Sequence, residues 1–195
     1  MSSLPDREKL SLLQIARRAL TAAVEHRPDS GEAPPAPAGA APVEAFGAFV
    51  TLHCRGRLRG CIGQLDVPLP LPEVVAHCAR AAALEDPRFR SIEPQELRDT
   101  DIEISVLSAP EEIAPDAIVT GQHGLIITRG EQRGLLLPQV ATEHKLSAPQ
   151  FLEETCQKAG LPRDAWKRPG TRIEGFTAEV FSEKEFKTKN AATIG

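Results

Sequence analysis

Tyrosine is absent from the 195 residues, and aromatic residues make up only 4% of the chain. So few rings leave single-stranded nucleic acid little to stack on. Positive charge is not in surplus either. The net charge of −4 supplies no general field to attract nucleic acid or an anionic membrane. No apolar run reaches the roughly 18–20 residues of a bilayer span. The stretch MSSLPDREKLSLLQ has early acidic charge and no apolar signal-peptide core, so a cytoplasmic location is expected. A phosphate-cradling glycine loop, a nucleophile elbow and a dinucleotide fingerprint are all missing, which weighs against kinases, hydrolases and dehydrogenases. Four cysteines are present, Cys54, Cys61, Cys78 and Cys156. Their spacing fits no common zinc module, and in the cytoplasm they are expected to be thiols.

What is present is enough apolar matter, 41%, for one substantial core or two small lobes. Leu10, Leu13, Ala16, Leu20 and Val24 recur at helical spacing, so residues 6–26 read as a helix with Asp6 as N-cap. Residues 27–42, RPDSGEAPPAPAGAAP, have almost nothing to bury and read as an extended connection. FGAFVTLHC (46–54) and RLRGCIG (57–63) form strands of a hairpin. A helix follows over 71–89, with Pro72 early and DPRF at its end, then a helical turn in PQELRDT. IEISVLS (102–108) alternates as a strand. Residues 121–140 read as a second hairpin turning at Gly130-Glu131-Gln132, and 147–162 as a helix from Ser147 to Gly160. RIEGFTAEVFSE (172–183) alternates again, with a kink near Gly175 needed to bring Ile173, Phe176, Ala178 and Val180 to one side. Hairpins interleaved with helices imply an α+β fold with a mainly antiparallel sheet and flanking helices. The last dozen residues, 184–195, read as a flexible tail.

The first hairpin holds the densest chemistry. A two-residue loop at Arg55-Gly56 would set Leu52 opposite Arg59. A three-residue loop, Cys54-Arg55-Gly56, groups Ala48, Val50 and Leu52 with Leu58, Gly60 and Ile62, and Phe49, Thr51 and His53 with Arg57, Arg59 and Cys61. The second register is favoured because each face is then uniform. It makes Arg59 and Cys61 neighbours, so that Arg59 could hold a Cys61 thiolate, while Gly60 and Gly63 let another backbone, or a ligand, approach closely. The competing reading makes Cys61 a small buried residue chosen for fit.

Asp86 and Arg88 in EDPRFR either tie a loop down as an ion pair or bind a ligand. Glu103 on its strand's polar face is a general acid or base, or a solvated carboxylate. His123 and His144 could move protons or serve only in a turn and a cap. No metal site is assigned: His53 and Cys54 are adjacent on a strand and point to opposite faces, so they cannot both join Cys61, His77 and Cys78.

LRGCIG, followed in order by CARAAALEDPRF, IEISVLS, GQHGLII, RGLLLPQVA and FLEETCQKAGLP, resembles the AMMECR domain, also called AmmeMemoRadiSam system protein A. The resemblance covers about residues 8–183. It implies a larger and a smaller lobe with a cleft near the motif, and the company of Memo-type and radical SAM proteins. It also places Asp86, Arg88, Glu103 and Gln139 on family blocks. Two functions follow. In one, the protein is an enzyme or enzyme subunit acting on a small molecule. Cys61, Arg59 and Glu103 are then catalytic, and Gly60, Gly63, Asp86, Arg88 and Gln139 bind the ligand, with no cofactor assigned. In the other it is a non-catalytic adaptor for those partners.

Overall fold

The computed structural model describes residues 3–27, 45–66, 68–186 and 188. The Pro/Ala-rich connection expected over 27–42 lies, after Arg27, outside the described residues. In chain order the elements are α1 (Asp6–Val24), β1 (Gly47–Cys54), β2 (Arg57–Leu65), α2 (Leu71–Leu84), β3 (Thr100–Leu107), β4 (Glu111–Glu112), β5 (His123–Arg129), β6 (Gln132–Leu136), α3 (Pro138–Glu143), α4 (Ala148–Lys158) and β7 (Arg172–Ser182). The fold is α+β, with antiparallel pairing and flanking helices. Among the described residues no helix is long and apolar enough to cross a membrane.

The chain divides into two compact units, residues 2–106 with 179–195, and residues 107–178. In the larger unit the strands run in the order β2-β1-β3, followed by the end of β7. Ala48, Val50 and Leu52 of β1 and Ile102, Ile104 and Val106 of β3 are all fully buried, and they join α1 and α2 in one core. Alternation therefore fixes which sheet face the helices cover. Pro70 caps α2 and Pro72 sits in its first turn, where a missing N–H costs nothing. Pro5, rather than Asp6, is the N-cap of α1, and Asp6 begins the helix, where its charge suits the macrodipole.

The smaller unit packs α4 on β5 and β6 through Leu125, Ile127, Phe151, Leu152 and Cys156, with Leu136 against them and Ile173 of β7 in the same core. The expected hairpin ends earlier than 140, because Leu137-Pro138 opens the short helix α3. Its turn is Gly130-Glu131, with Arg129 opposite Gln132 and Gly130 at φ 60°. Nor does β7 kink to gather its apolar residues. It runs unbroken, so Ile173 and Phe176 keep opposite faces, both buried, while Val180 is exposed and Phe181 enters the larger unit's core. Of the tail expected to be flexible from 184, residues 184–186 are ordered, and most of the remainder lies outside the described residues. Ser182 Oγ accepts from the Glu185 N–H at 3.3 Å, opening a helical turn that buries Phe186 in the same core.

Candidate functional site

Strand β2 lies at the end of the larger unit's strand order, so one of its edges has no neighbouring strand. Such an edge presents unpaired N–H and C=O groups that something must cover. Here the cover is the EDPRF segment. The Cys61 N–H donates to Asp86 Oδ2 at 2.8 Å, and Arg88 Nη2 donates to the Cys61 carbonyl at 3.4 Å. Asp86 is only 4% exposed. Its carboxylate also accepts from the Arg88 backbone N–H at 3.1 Å, from Nε at 3.0 Å and from Nη2 at 2.8 Å. The Arg88 guanidinium, outweighing the burial that opposes it, holds the Asp86 carboxyl well below the usual carboxylate range.

The hairpin turn is Arg55-Gly56, both left-handed at φ 51° and 76°, not the expected three-residue loop. Its register would put Leu52 against Arg59, and a β-bulge prevents that. His53 pairs with Leu58, but Leu52 pairs with Gly60, so Arg59 is the extra residue and is aimed elsewhere. Beyond the bulge the expected faces hold, with Val50 opposite Ile62 and Thr51 opposite Cys61.

Arg59 is therefore not the thiol's cation. Its Nε and Nη2 grip the Glu96 carboxylate at 2.9 and 3.0 Å, and the same guanidinium donates to the carbonyls of Arg90 at 2.6 Å and Ser91 at 3.1 Å. Glu96 in turn accepts from the Glu93 N–H, closing the capping box of the helical turn Pro94–Asp99. Arg59 thus fastens β2 to that turn. The two motif glycines also have packing reasons. A Cβ on Gly60 would lie 2.0 Å from the Ala82 carbonyl oxygen, and one on Gly63 would lie 2.3 Å from the Phe49 ring. The glycines admit α2 and a phenyl ring rather than standing open.

Cys61 projects from the sheet face opposite α1 and α2, together with Thr51, and it is half-buried. Thr51 Oγ donates to the Cys61 sulfur at 3.2 Å. The Arg55 N–H donates to the Asp99 carbonyl at 3.0 Å, which aligns β1 with β3 in antiparallel sense. Counting back from that pair sets Glu103 beside Thr51, so Cys61, Thr51 and Glu103 form one row across three strands. That register also turns the Cys61 N–H and C=O outward, as their bonds to Asp86 and Arg88 require. Among the described residues the half-buried Glu103 carboxylate has no hydrogen-bond or ion-pair partner. The cation placed at Cys61 is Arg88, through its bond to the Cys61 carbonyl, and Asp86 raises it above its ordinary value.

Of the sequence candidates, Cys61, Asp86 and Arg88 are thus brought together and Glu103 joins Cys61's row, whereas Gln139 belongs to the smaller unit. Its Oε1 is buried without a partner. Thr51 was not singled out, although the strand pattern already set it on Cys61's face. The other cysteines differ. Burial pushes the Cys78 thiol up to about 11, and it raises Cys156 as well. His123 Nδ1 accepts from the Val119 N–H at 3.1 Å and closes a turn, and His144 caps α3. Among the described residues no group of three His, Cys, Asp or Glu side chains is placed to hold a metal ion.

A family model described as AMMECR1 matches residues 13–181. A protein of Methanothermobacter thermautotrophicus is 48% identical over 144 residues, covering 70% of this chain and 75% of its own. One from Thermococcus kodakarensis is 41% identical over 185 residues, covering 89% of each. The crystal structure of uncharacterised protein PH0010 from Pyrococcus horikoshii superposes with a TM-score of 0.71 at 39% identity, over 88% of this chain and 89% of that one.

Proposed function

Because the chain belongs to the AMMECR1 family, we propose that its LRGCIG strand presents a reactive thiol, Cys61, to a small molecule, and that the protein is an enzyme or enzyme subunit. The carrying observation is the row Cys61–Thr51–Glu103 on the face opposite α1 and α2, which sets a half-buried thiol beside a hydroxyl and a carboxylate without a partner among the described residues. In this reading Cys61 attacks an electrophilic carbon of the ligand. The sulfur–carbon bond forms, the leaving group departs with its bonding pair, the Thr51 hydroxyl donates to the sulfur, and the thiol proton leaves to solvent with Glu103 as the base of the row that receives it. Arg59, Gly60 and Gly63 act on structure, holding the strand in place. Memo-type and radical SAM proteins are the proposed neighbours in the same chemistry, on the strength of the family resemblance.

The test uses p-nitrophenyl acetate at neutral pH, with intact-protein and peptide mass spectrometry. Acetylation of Cys61 with release of p-nitrophenolate is expected, absent in Cys61→Ser and slowed roughly tenfold or more in Glu103→Gln. If Cys61 stays unmodified in the folded protein, or if Glu103→Gln changes nothing, this reading fails.

A further inference from the structure

Arg88 has capacity that its structural duties leave unused. Asp86 occupies the Nε and Nη2 side of the guanidinium, and the remaining Nη2 contact is the 3.4 Å bond to the Cys61 carbonyl. No partner meets Nη1 among the described residues, although the side chain is 55% exposed. A guanidinium is a planar fork, so fixing one side of it orients the free nitrogen, which a lysine could not do. The guanidinium also reaches the Cys61 backbone carbonyl, so its free donors lie at the residue that carries the thiol and not at a remote surface. The Phe89 ring, 5.4 Å from the guanidinium carbon, restrains the group further.

We infer that the ligand of this face is a small carboxylate, whose anionic oxygens are received by Arg88 Nη1 while the carbon to be attacked lies over Cys61. The inference rests on the reading of Cys61 as a reactive thiol and narrows its substrate class. Asp86 cancels much of the long-range field of Arg88, so the preference for an anion acts at contact range. It selects the bound ligand and does not steer distant encounters. Strand spacing limits the size. From Cys61 across Thr51 to Glu103 is about 10 Å, two inter-strand steps, which suits a molecule of a few carbons.

Two thiol reagents of nearly equal size, iodoacetate and iodoacetamide, separate charge from reactivity. Both alkylate by displacement: the sulfur bonds the methylene carbon and iodide leaves. The quantity to read, by peptide mass spectrometry, is the ratio of their rates at Cys61, divided by the same ratio in the urea-unfolded chain. We expect a normalised ratio of about three to ten at low salt, falling towards one by about 0.5 M salt. Arg88→Gln should bring it to one, while Arg88→Lys keeps part of it. If Arg88→Gln loosens the strand edge, the salt series on the unaltered protein decides alone. A normalised ratio of one at low salt, with Cys61 still reactive, overturns the carboxylate inference and leaves the thiol reading standing. Failure of both reagents to modify Cys61 until the protein unfolds removes the thiol reading and this inference with it.

Discussion

The two faces of the larger unit's sheet are made by the same strands and differ in almost everything else. On the helix-covered face, Ala48, Val50, Leu52, Ile102 and Ile104 are sealed against α1 and α2, and Gly60 gives up its side chain so that Ala82 can come close. On the other face, Phe49, Thr51, Cys61 and Glu103 are half-buried and mostly polar. Successive residues of one six-residue motif therefore meet opposite surroundings: Gly60 packs against Ala82, and Cys61 turns its thiol to the other face. A dense motif is not a dense site. Period-2 alternation shares it between two environments.

The sharpest way to break this contrast is to fill the covered face. Gly60→Ala drives a Cβ into a backbone carbonyl, so α2 must move, and roughly 3 kcal/mol or more of unfolding free energy should be lost in urea titration. Next comes the strand edge. Asp86→Asn should cost about 2 kcal/mol at pH 7, less than a fully buried pair because Arg88 is half in water. The sign with pH follows from the direction of the shift. The Asp86 carboxyl is held below its unfolded value of about 3.9, so its contribution is complete above that value and is lost as pH falls through it. Stability curves of the two proteins should accordingly begin to approach each other below about pH 5 and keep doing so as pH falls towards the lowered Asp86 value. A smaller effect is expected for Arg59→Ala, roughly 1–2 kcal/mol from the lost Glu96 pair, with the alkylation rate of Cys61 unchanged within about twofold. A large drop in that rate would return Arg59 to the thiol. The smallest effect belongs to Cys61→Ser, under about 1 kcal/mol in the same titration, since the residue sits on the open face.

Much of this was legible in the sequence, and the failures have local causes. The strand and helix periods of 46–63, 71–89 and 102–108 located the elements, and parity alone set Thr51 and Cys61 on one face. The bulge at Arg59 was not legible. It reconciles a two-residue turn with a sealed apolar face, and both demands were visible, yet an inserted residue has no composition of its own. Reading the register without it made Arg59 a neighbour of the thiol, when the nearby guanidinium comes from Arg88, 27 residues further on. Ion pairing across such a distance leaves no periodic trace. Of the two readings of Asp86, the ion pair with Arg88 is the one its contacts display, but its acceptor role for the Cys61 N–H needs the strand edge to be known. The unbroken β7 was missed for a related reason, because its apolar residues serve two cores in turn and no single face unites them.

The division between the two faces meets its most direct test in the native-state labelling of two cysteines that β1 and β2 hold on opposite sides. Cys61 bears on the open face, and Cys78 of α2 donates to the Ala48 carbonyl from the sealed one, at 3.7 Å. Iodoacetamide labelling of the folded protein, followed residue by residue over increasing urea below the unfolding transition, should modify Cys61 at a rate independent of urea. Cys78 should react only as fast as the chain unfolds, its rate rising with urea in step with the unfolding equilibrium. Equal protection of both thiols, or a Cys61 rate that follows unfolding as Cys78 does, would contradict the account.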